Sequence, residues 1–241
     1  MRVLLTGGSG RLGGALRALR PDWLAPSRLQ LDLLQPAQIA QVLEQAQPDL
    51  VVHAAAYTDV AGAEQQQRLC WSVNVQGTRH LVQAVQVRAI PLVHISTDYV
   101  FWGDRGGYHE DDPPGPVRNY YALSKLVAEE LVRLLPHHLV IRTSFRSWPW
   151  PYPAAYTDLF TSQDYLERIA PQVALAVDRF AEIPYPTLHI ATQRKSAFEL
   201  AAQSRPDVRP GLRSEAGVAL PADISLDTGR WQALRLKWGY V

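Results

Sequence analysis

Short apolar runs and amphipathic stretches take turns along this chain. Residues 2–6 place Val3, Leu4 and Leu5 in a run of strand length, and residues 11–20 follow with Leu12, Leu16 and Leu19 at helical spacing. Asp22–Ala25 reads as a short second strand. Pro36–Gln47 reads as a helix whose proline sits in the first turn, where a missing N–H does no harm. Leu50–Ala54 is a third strand, Gln66–Arg88 a long helix and Pro91–Ile95 a fourth strand. Residues 103–118, rich in Gly, Pro and Asp, read as a surface loop. A helix over Tyr120–Leu135 and a fifth strand over His138–Thr143 follow. Strands that alternate with helices in this way predict an α/β fold with a doubly wound parallel sheet.

The pattern changes after residue 145. Trp148-Pro-Trp-Pro-Tyr-Pro153 cannot be helical, and its alternate prolines favour extended geometry. Helical period returns over Asp164–Phe180, then a short strand at Thr187–Ile190 and a helix at Ser196–Gln203. An aromatic and basic stretch, Trp231–Tyr240, ends the chain. The 241 residues suffice for one substantial domain with a small appendage, and a 47% hydrophobic, 20% charged composition fits a globular protein. A net charge of +1 gives no reason to expect nucleic acid or an anionic membrane as partner. The single cysteine, Cys70, excludes an internal disulfide and reads as a small core residue. With no apolar run of 18 residues and no signal peptide before the first strand, a cytoplasmic location is expected. Seven scattered histidines predict no structural metal.

Three motifs carry chemistry. Thr6-Gly7-Gly-Ser-Gly10-Arg11-Leu12-Gly13 turns a strand straight into a helix. Unpaired N–H groups and the positive end of the helix dipole then make a pyrophosphate site. Gly7 permits the tight turn, Gly10 lets backbone approach phosphate, and Gly13 lets the helix pack closely. Such a turn opens a Rossmann-type sheet. The second motif is Tyr121-Ala-Leu-Ser-Lys125 at a helix start. Residues i and i+4 share a face, and a cation within ~4–6 Å lowers a phenol's pKa from near 10 by about 1–3 units. Tyr121 could then exchange protons near neutral pH; the plain alternative is a solvated helix pair. The third motif is the strand ending Ser96-Thr97-Asp98-Tyr99. Ligands of open parallel sheets bind at the carboxyl ends of strands, so Thr97 falls where Gly10 and Tyr121 converge. Its alternative role is a turn threonine. After the second strand, Pro26-Ser27-Arg28 offers no carboxylate for a ribose hydroxyl, and Ser27 with Arg28 suits a 2′-phosphate, hence NADP(H) before NAD(H).

Together these residues resemble the extended short-chain dehydrogenase/reductase superfamily, and within it the dTDP-4-dehydrorhamnose reductase family. The strings that carry the resemblance are the glycine turn, Pro48–Thr58, Asn74–Thr78, Ile95–Phe101, Tyr121–Lys125 and Arg142–Ser144. It implies Thr97, Tyr121 and Lys125 as the catalytic set, with Arg11 and Leu12 amides at the pyrophosphate. It implies Asp32 and Leu33 beside adenine, and Ala54, Ala55, Ala56 and Tyr57 against the nicotinamide ribose. Ser96, Thr143 and Ser144 fall on the nicotinamide side, and Thr58, Asp98 and Tyr99 on the substrate side. Asn74 would lie behind the active site, as a structural group or as a holder of water.

Two departures stand out. The aromatic residue that follows Arg-Thr-Ser, commonly Trp in the family, is Phe145 here. Beyond it Arg146–Pro153 replaces the family's covering segment, and an Arg-Pro pair near the C-terminus reads Leu220-Pro221. Phe145 and Trp148, in a segment of rings interleaved with prolines, are candidates for stacking on the substrate. Residues 1–145 are thus expected to bind the dinucleotide, and residues 146–241 to supply a substrate side with returning sheet and helix elements. The resemblance implies NADP(H)-dependent reduction of a nucleotide-linked 4-keto sugar, with homodimerisation left open. The alternative is a regulatory subunit that binds a dinucleotide or nucleotide sugar without turning it over, because one fold can serve either purpose.

Overall fold

The computed structural model of the chain describes residues 1–216 and 219–240. Strands β1 (Val3–Thr6), β2 (Leu50–His53), β3 (Leu92–Thr97) and β4 (His138–Thr143) lie side by side in that order, and an edge strand, Thr187–His189, follows β4. All four pairings are parallel. On the other side of β1, the expected second strand at Asp22–Ala25 contracts to a single bridge between Leu24 and Leu4. Pro21 and Pro26 flank it, and neither has an N–H with which to extend a ladder.

Strand alternation explains why the sheet is buried on both faces. Val3, Leu5, Val52, Val93 and Ile141 face α1 (Arg11–Leu19) and a later helix through Leu16, Ile169 and Val173. Leu4, Val51, Leu92 and Val140 face the opposite layer, where α2 (Pro36–Ala46) contributes Ile39 and Leu43. A short α3 (Val60–Gln65) then leads into the stretch expected as one helix. That stretch is α4 (Gln67–Trp71), a wide π turn over Ser72–Gly77, and α5 (Thr78–Gln86).

Asn119 starts α6 (Tyr120–Val132) by accepting the Ala122 N–H at 2.8 Å. Helix α7 (Leu166–Asp178) starts two residues later than the periodicity suggests, because Asp164 and Tyr165 pair with Phe145 and Arg146 as short parallel strands. Helix α8 (Ala197–Ala202) opens with a capping box between Ser196 and Glu199. The aromatic-basic tail, to which the periodicity assigns no element, folds as α9 (Gly229–Lys237). Its Trp231 is fully buried and donates its Nε1–H to Gln172 Oε1 at 2.7 Å. Residues 146–241 therefore divide: α7, the edge strand and α9 complete the main sheet, while Trp150, Tyr165, Leu200 and Val208 form a small core of their own. Among the described residues no helix is long and apolar enough to cross a membrane.

Candidate active site

The glycine turn has the tight geometry its sequence predicts, and its glycines differ in what surrounds them. Gly7 adopts φ +75°, and a Cβ there would meet Ala55 N at 2.5 Å. A Cβ on Gly13 would meet the Gly7 carbonyl oxygen at 2.1 Å. Both glycines are demanded by the fold. Gly10 differs: its Cβ would meet only Gly7 O, at 3.3 Å. What a side chain at Gly10 would fill is the space in front of α1. That helix begins at Gly10 with no side-chain cap and no acidic residue in its first turn. The first N–H groups of any helix lack intrahelical acceptors, so this terminus offers donors and a positive dipole end to an anion.

The end of β3 delivers the second group. Thr97 is 6% and Asp98 1% exposed. The Thr97 hydroxyl donates to Asp98 Oδ1 at 3.0 Å and accepts the Tyr99 N–H at 3.2 Å. Burial raises the Asp98 carboxyl to about 6, against hydrogen bonds from Thr97 and Ser144 and the charge of Arg146. Its Oδ2 has no hydrogen-bond partner among the described residues.

Helix α6 supplies Tyr121 and Lys125 on one face, but their coupling differs from the expectation. Lys125 Nζ turns inward, donating to the Ile95 carbonyl at 2.7 Å and lying 3.1 Å from His94 Nε2. Burial lowers it to about 8. The Tyr121 phenol is raised rather than lowered. Desolvation is the main cause, Asp98 and Tyr99 add to it, and the Thr97 hydrogen bond opposes it. The reach of lysine explains the outcome: shared helix face does not fix where a flexible ammonium ends. Behind the site, Asn74 is bound to its neighbours. Its Oδ1 accepts the Tyr57 N–H at 2.7 Å, and its Nδ2 donates to Tyr57 O at 3.1 Å and Ser124 Oγ at 2.9 Å. The π turn aims it there, an example of a wide turn at a candidate functional site. Cys70 is buried beside Ser124, as a core residue.

A cleft of about 410 Å³ joins these parts, within the usual range for a ligand site. It brings together Gly7, Gly10, Arg11, Leu12, Gly13, Arg28, Leu33, Ala54, Ala55, Ala56 and Thr58 with Ser96, Thr97, Asp98, Tyr99, Tyr121, Lys125, Thr143, Ser144 and Phe145. Four expected residues do not line it. Ser27 turns to Gln30 Oε1, at 2.9 Å from its N–H and 3.0 Å from its hydroxyl. Asp32 bends back to accept the Leu34 N–H at 3.0 Å, an Asx turn that leaves Leu33 facing the cleft. Tyr57 is tied by its backbone to Asn74. Trp148 packs edge-on against Tyr165, with centroids 4.8 Å apart.

Sequence reasoning missed Arg146 and Gln163, both in the lining. The Arg146 guanidinium lies 4.9 Å from the Trp150 ring centre and 5.9 Å from that of Tyr152. Its Nε is buried without a partner, and it has no salt bridge among the described residues. A cation set within a run of aromatic and proline residues was the available signal. The cleft's other partnerless buried atoms are Ser96 Oγ and Thr143 Oγ1, with Asp98 Oδ2 as above. Buried polar atoms normally have partners, so such a cluster points to a ligand. With the space before Gly10, these residues fit a dinucleotide lying from α1 to the end of β3 and β4.

A parallel sheet with this turn and this helix defines a Rossmann protein of the short-chain dehydrogenase/reductase type. The comparisons with known proteins are more specific. Residues 1–150 match the family model described as RmlD substrate binding domain, and the chain belongs to that family. The dTDP-4-dehydrorhamnose reductase of Mycobacterium tuberculosis is 38% identical over 154 residues, covering 60% of this chain and 50% of the relative. That of Streptomyces griseus is 34% identical over 188 residues, covering 75% of this chain and 60% of the relative. The chain thus spans about half the length of the curated relatives it matches. A crystal structure of dTDP-4-dehydrorhamnose reductase from Bacillus anthracis in complex with NADP superposes with a TM-score of 0.84 at 29% identity, covering 100% of this chain and 93% of that one.

Proposed function

We propose that this chain is a reductase that passes a hydride from NADPH to the ketone of a nucleotide-linked 4-keto sugar, as its named relatives suggest. The observation that carries the reading is the convergence of Thr97, Tyr121 and Lys125 on the cleft that also holds Gly10 and the start of α1. The α1 amides would hold the pyrophosphate, Leu33 would lie against the adenine, and Ala54 to Ala56 against the nicotinamide ribose. Bound there, the dinucleotide supplies the hydride. Tyr121 then gives a proton to the carbonyl oxygen. The phenol is protonated at neutral pH, as a donor must be, while burial and the nearby Asp98 make it a weaker acid than a free phenol. Thr97 binds the same oxygen after its O–H rotates away from Asp98 Oδ1, a turn that needs no heavy-atom movement. Lys125 has one N–H left for the cleft once Ile95 O and His94 take two.

Oxidation of NADPH by purified protein with dTDP-4-dehydro-6-deoxy-L-mannose tests the reading. A second reading, a binding subunit without turnover, is favoured by the inward contact of Lys125 and the raised phenol. NADPH binding without oxidation by any nucleotide-linked keto sugar would select it.

A further inference from the structure

We propose that His94 is the positioning residue for Lys125. Its neutral imidazole and the Ile95 carbonyl tie down two of the three ammonium N–H bonds, so that the third is presented to the cleft. The proposal rests on the reading of the cleft as a dinucleotide site, although the contact itself is independent of it.

The chemistry of the pair fixes the state of the ring. An ammonium only donates, so His94 Nε2, 3.1 Å from Lys125 Nζ, must carry a lone pair. The ring proton therefore sits on Nδ1, which is buried and has no partner among the described residues. His94 is 1% exposed and Lys125 3%. An imidazole placed only for packing would gain nothing from a partnerless N–H in the interior, where an apolar ring would do as well.

The surroundings hold His94 neutral. Burial pushes its pKa well below the ordinary value, and Lys125 and then His53 push the same way. His53 lies beside it on β2, ring centres 5.1 Å apart, and cannot relieve it. The Thr78 hydroxyl donates to Asn74 O at 2.6 Å, so it accepts from His53 Nε2–H at 2.9 Å. His53 Nδ1 then accepts from Thr6 Oγ1 at 2.8 Å. Both of its nitrogens are engaged in a neutral ring.

Lys125 is consequently a buried cation held by two uncharged acceptors. The titratable groups packed around it are His94 from β3, His53 from β2, Cys70 from α4, and Tyr121 and Glu129 from α6. Burial brings it to about 8, and Glu129 and Cys70 act in the opposite direction. Without the His94 acceptor the ammonium would lose its proton at lower pH and its orientation at any pH.

The test is the pH dependence of NADPH binding, followed by calorimetry. His94→Phe keeps an aromatic ring and removes the acceptor. The alkaline weakening of binding should move down by about one pH unit, the worth of one hydrogen bond to a charged group. His94→Gln, whose amide oxygen can accept, should return it to the wild-type position. A packing role would instead lower the melting temperature of both variants and leave the alkaline limb in place, which would overturn the proposal.

Should His94→Phe fail to fold, nitrogen-15 NMR of the imidazoles decides. The wild type should show His94 Nε2 unprotonated from pH 8 to 5, with a shift that changes in Lys125→Met. A protonated Nε2, or indifference to Lys125→Met, would overturn it. Loss of NADPH binding in the wild type would sink the dinucleotide reading and leave the NMR result standing.

Discussion

On the proposed reading, the dinucleotide end of the cleft would recognise its ligand through backbone. Gly7 and Gly13 are locked against each other and against Ala55, and α1 starts with free N–H groups. Beyond Phe145, at the other end, recognition would fall to side chains. Phe145 and Arg146 pair with Asp164 and Tyr165 in a two-residue ladder. Trp150 anchors the segment by its N–H to Ser204 Oγ at 2.9 Å and its indole to Ala154 O at 3.3 Å. On that platform lies the Arg146 guanidinium, with no carboxylate bound to it among the described residues. The contrast teaches where variation is tolerated. A backbone cradle is fixed by its glycines, whereas a side-chain platform can change ligand by changing one residue.

The comparison breaks first at the glycines. Gly10→Val should abolish detectable NADPH binding in calorimetry while fold stability changes by under about 1 kcal/mol, because only Gly7 O is near its Cβ. Gly13→Ala should do the reverse. Its Cβ meets backbone at 2.1 Å, and overpacking of this kind costs about 1–3 kcal/mol, read as a lower denaturation midpoint. Equal loss of stability in the two variants would erase the division between fold glycines and ligand glycine.

Asp98 sharpens the comparison from the middle of the cleft. Its folded pKa of about 6 exceeds the ordinary carboxyl value of 3.8. The folded state therefore binds the extra proton between pH ~4 and ~6, and stability falls as pH rises through that window. Above it the cost is constant, at most about 3 kcal/mol for a shift of roughly two units. Asp98→Asn should raise the melting temperature at pH 7, flatten the dependence between pH 4 and 6, and lower turnover. A destabilised Asp98→Asn at pH 7 would contradict this.

At the substrate end, Arg146→Val should raise KM for the keto sugar by about 10- to 100-fold, the worth of a hydrogen bond to a charged group. The NADPH dissociation constant should stay the same. The smallest effect is expected at Arg28, exposed at the edge of the cleft. Arg28→Ala should weaken NADPH a few-fold and leave NADH unchanged, roughly as one exposed charge contact is worth.

Much of this was legible in the sequence, for reasons that vary by region. β1, β2, β3 and β4 were readable because strands buried on both faces are continuous apolar runs, and the glycine turn because φ and close approach restrict residue choice. The strand at Asp22–Ala25 was overread, since flanking prolines limit it to one bridge. Helix α9 was missed because its charged residues mask Trp231 and Leu234, the two it buries. In the cleft, placement set by backbone is readable from spacing, and orientation set by side chains is not. Spacing placed Tyr121 and Lys125 on one face but said nothing of His94, which draws Lys125 inward. Likewise, the spacing of Trp148, a candidate for stacking on the substrate, does not tell that it leans on Tyr165, nor that Trp150 and Tyr152 flank Arg146.

The central claim is that Tyr121 delivers a proton in a reduction for which the rest of the cleft only binds and orients. The most direct measurement compares wild type and Tyr121→Phe for NADPH oxidation with dTDP-4-dehydro-6-deoxy-L-mannose, with NADPH binding measured alongside. The expected result is turnover in the wild type, a loss of about 10²–10⁴ in kcat for the variant, and nearly equal NADPH affinity. Equal turnover in both proteins, or NADPH binding with no turnover in either, would contradict it.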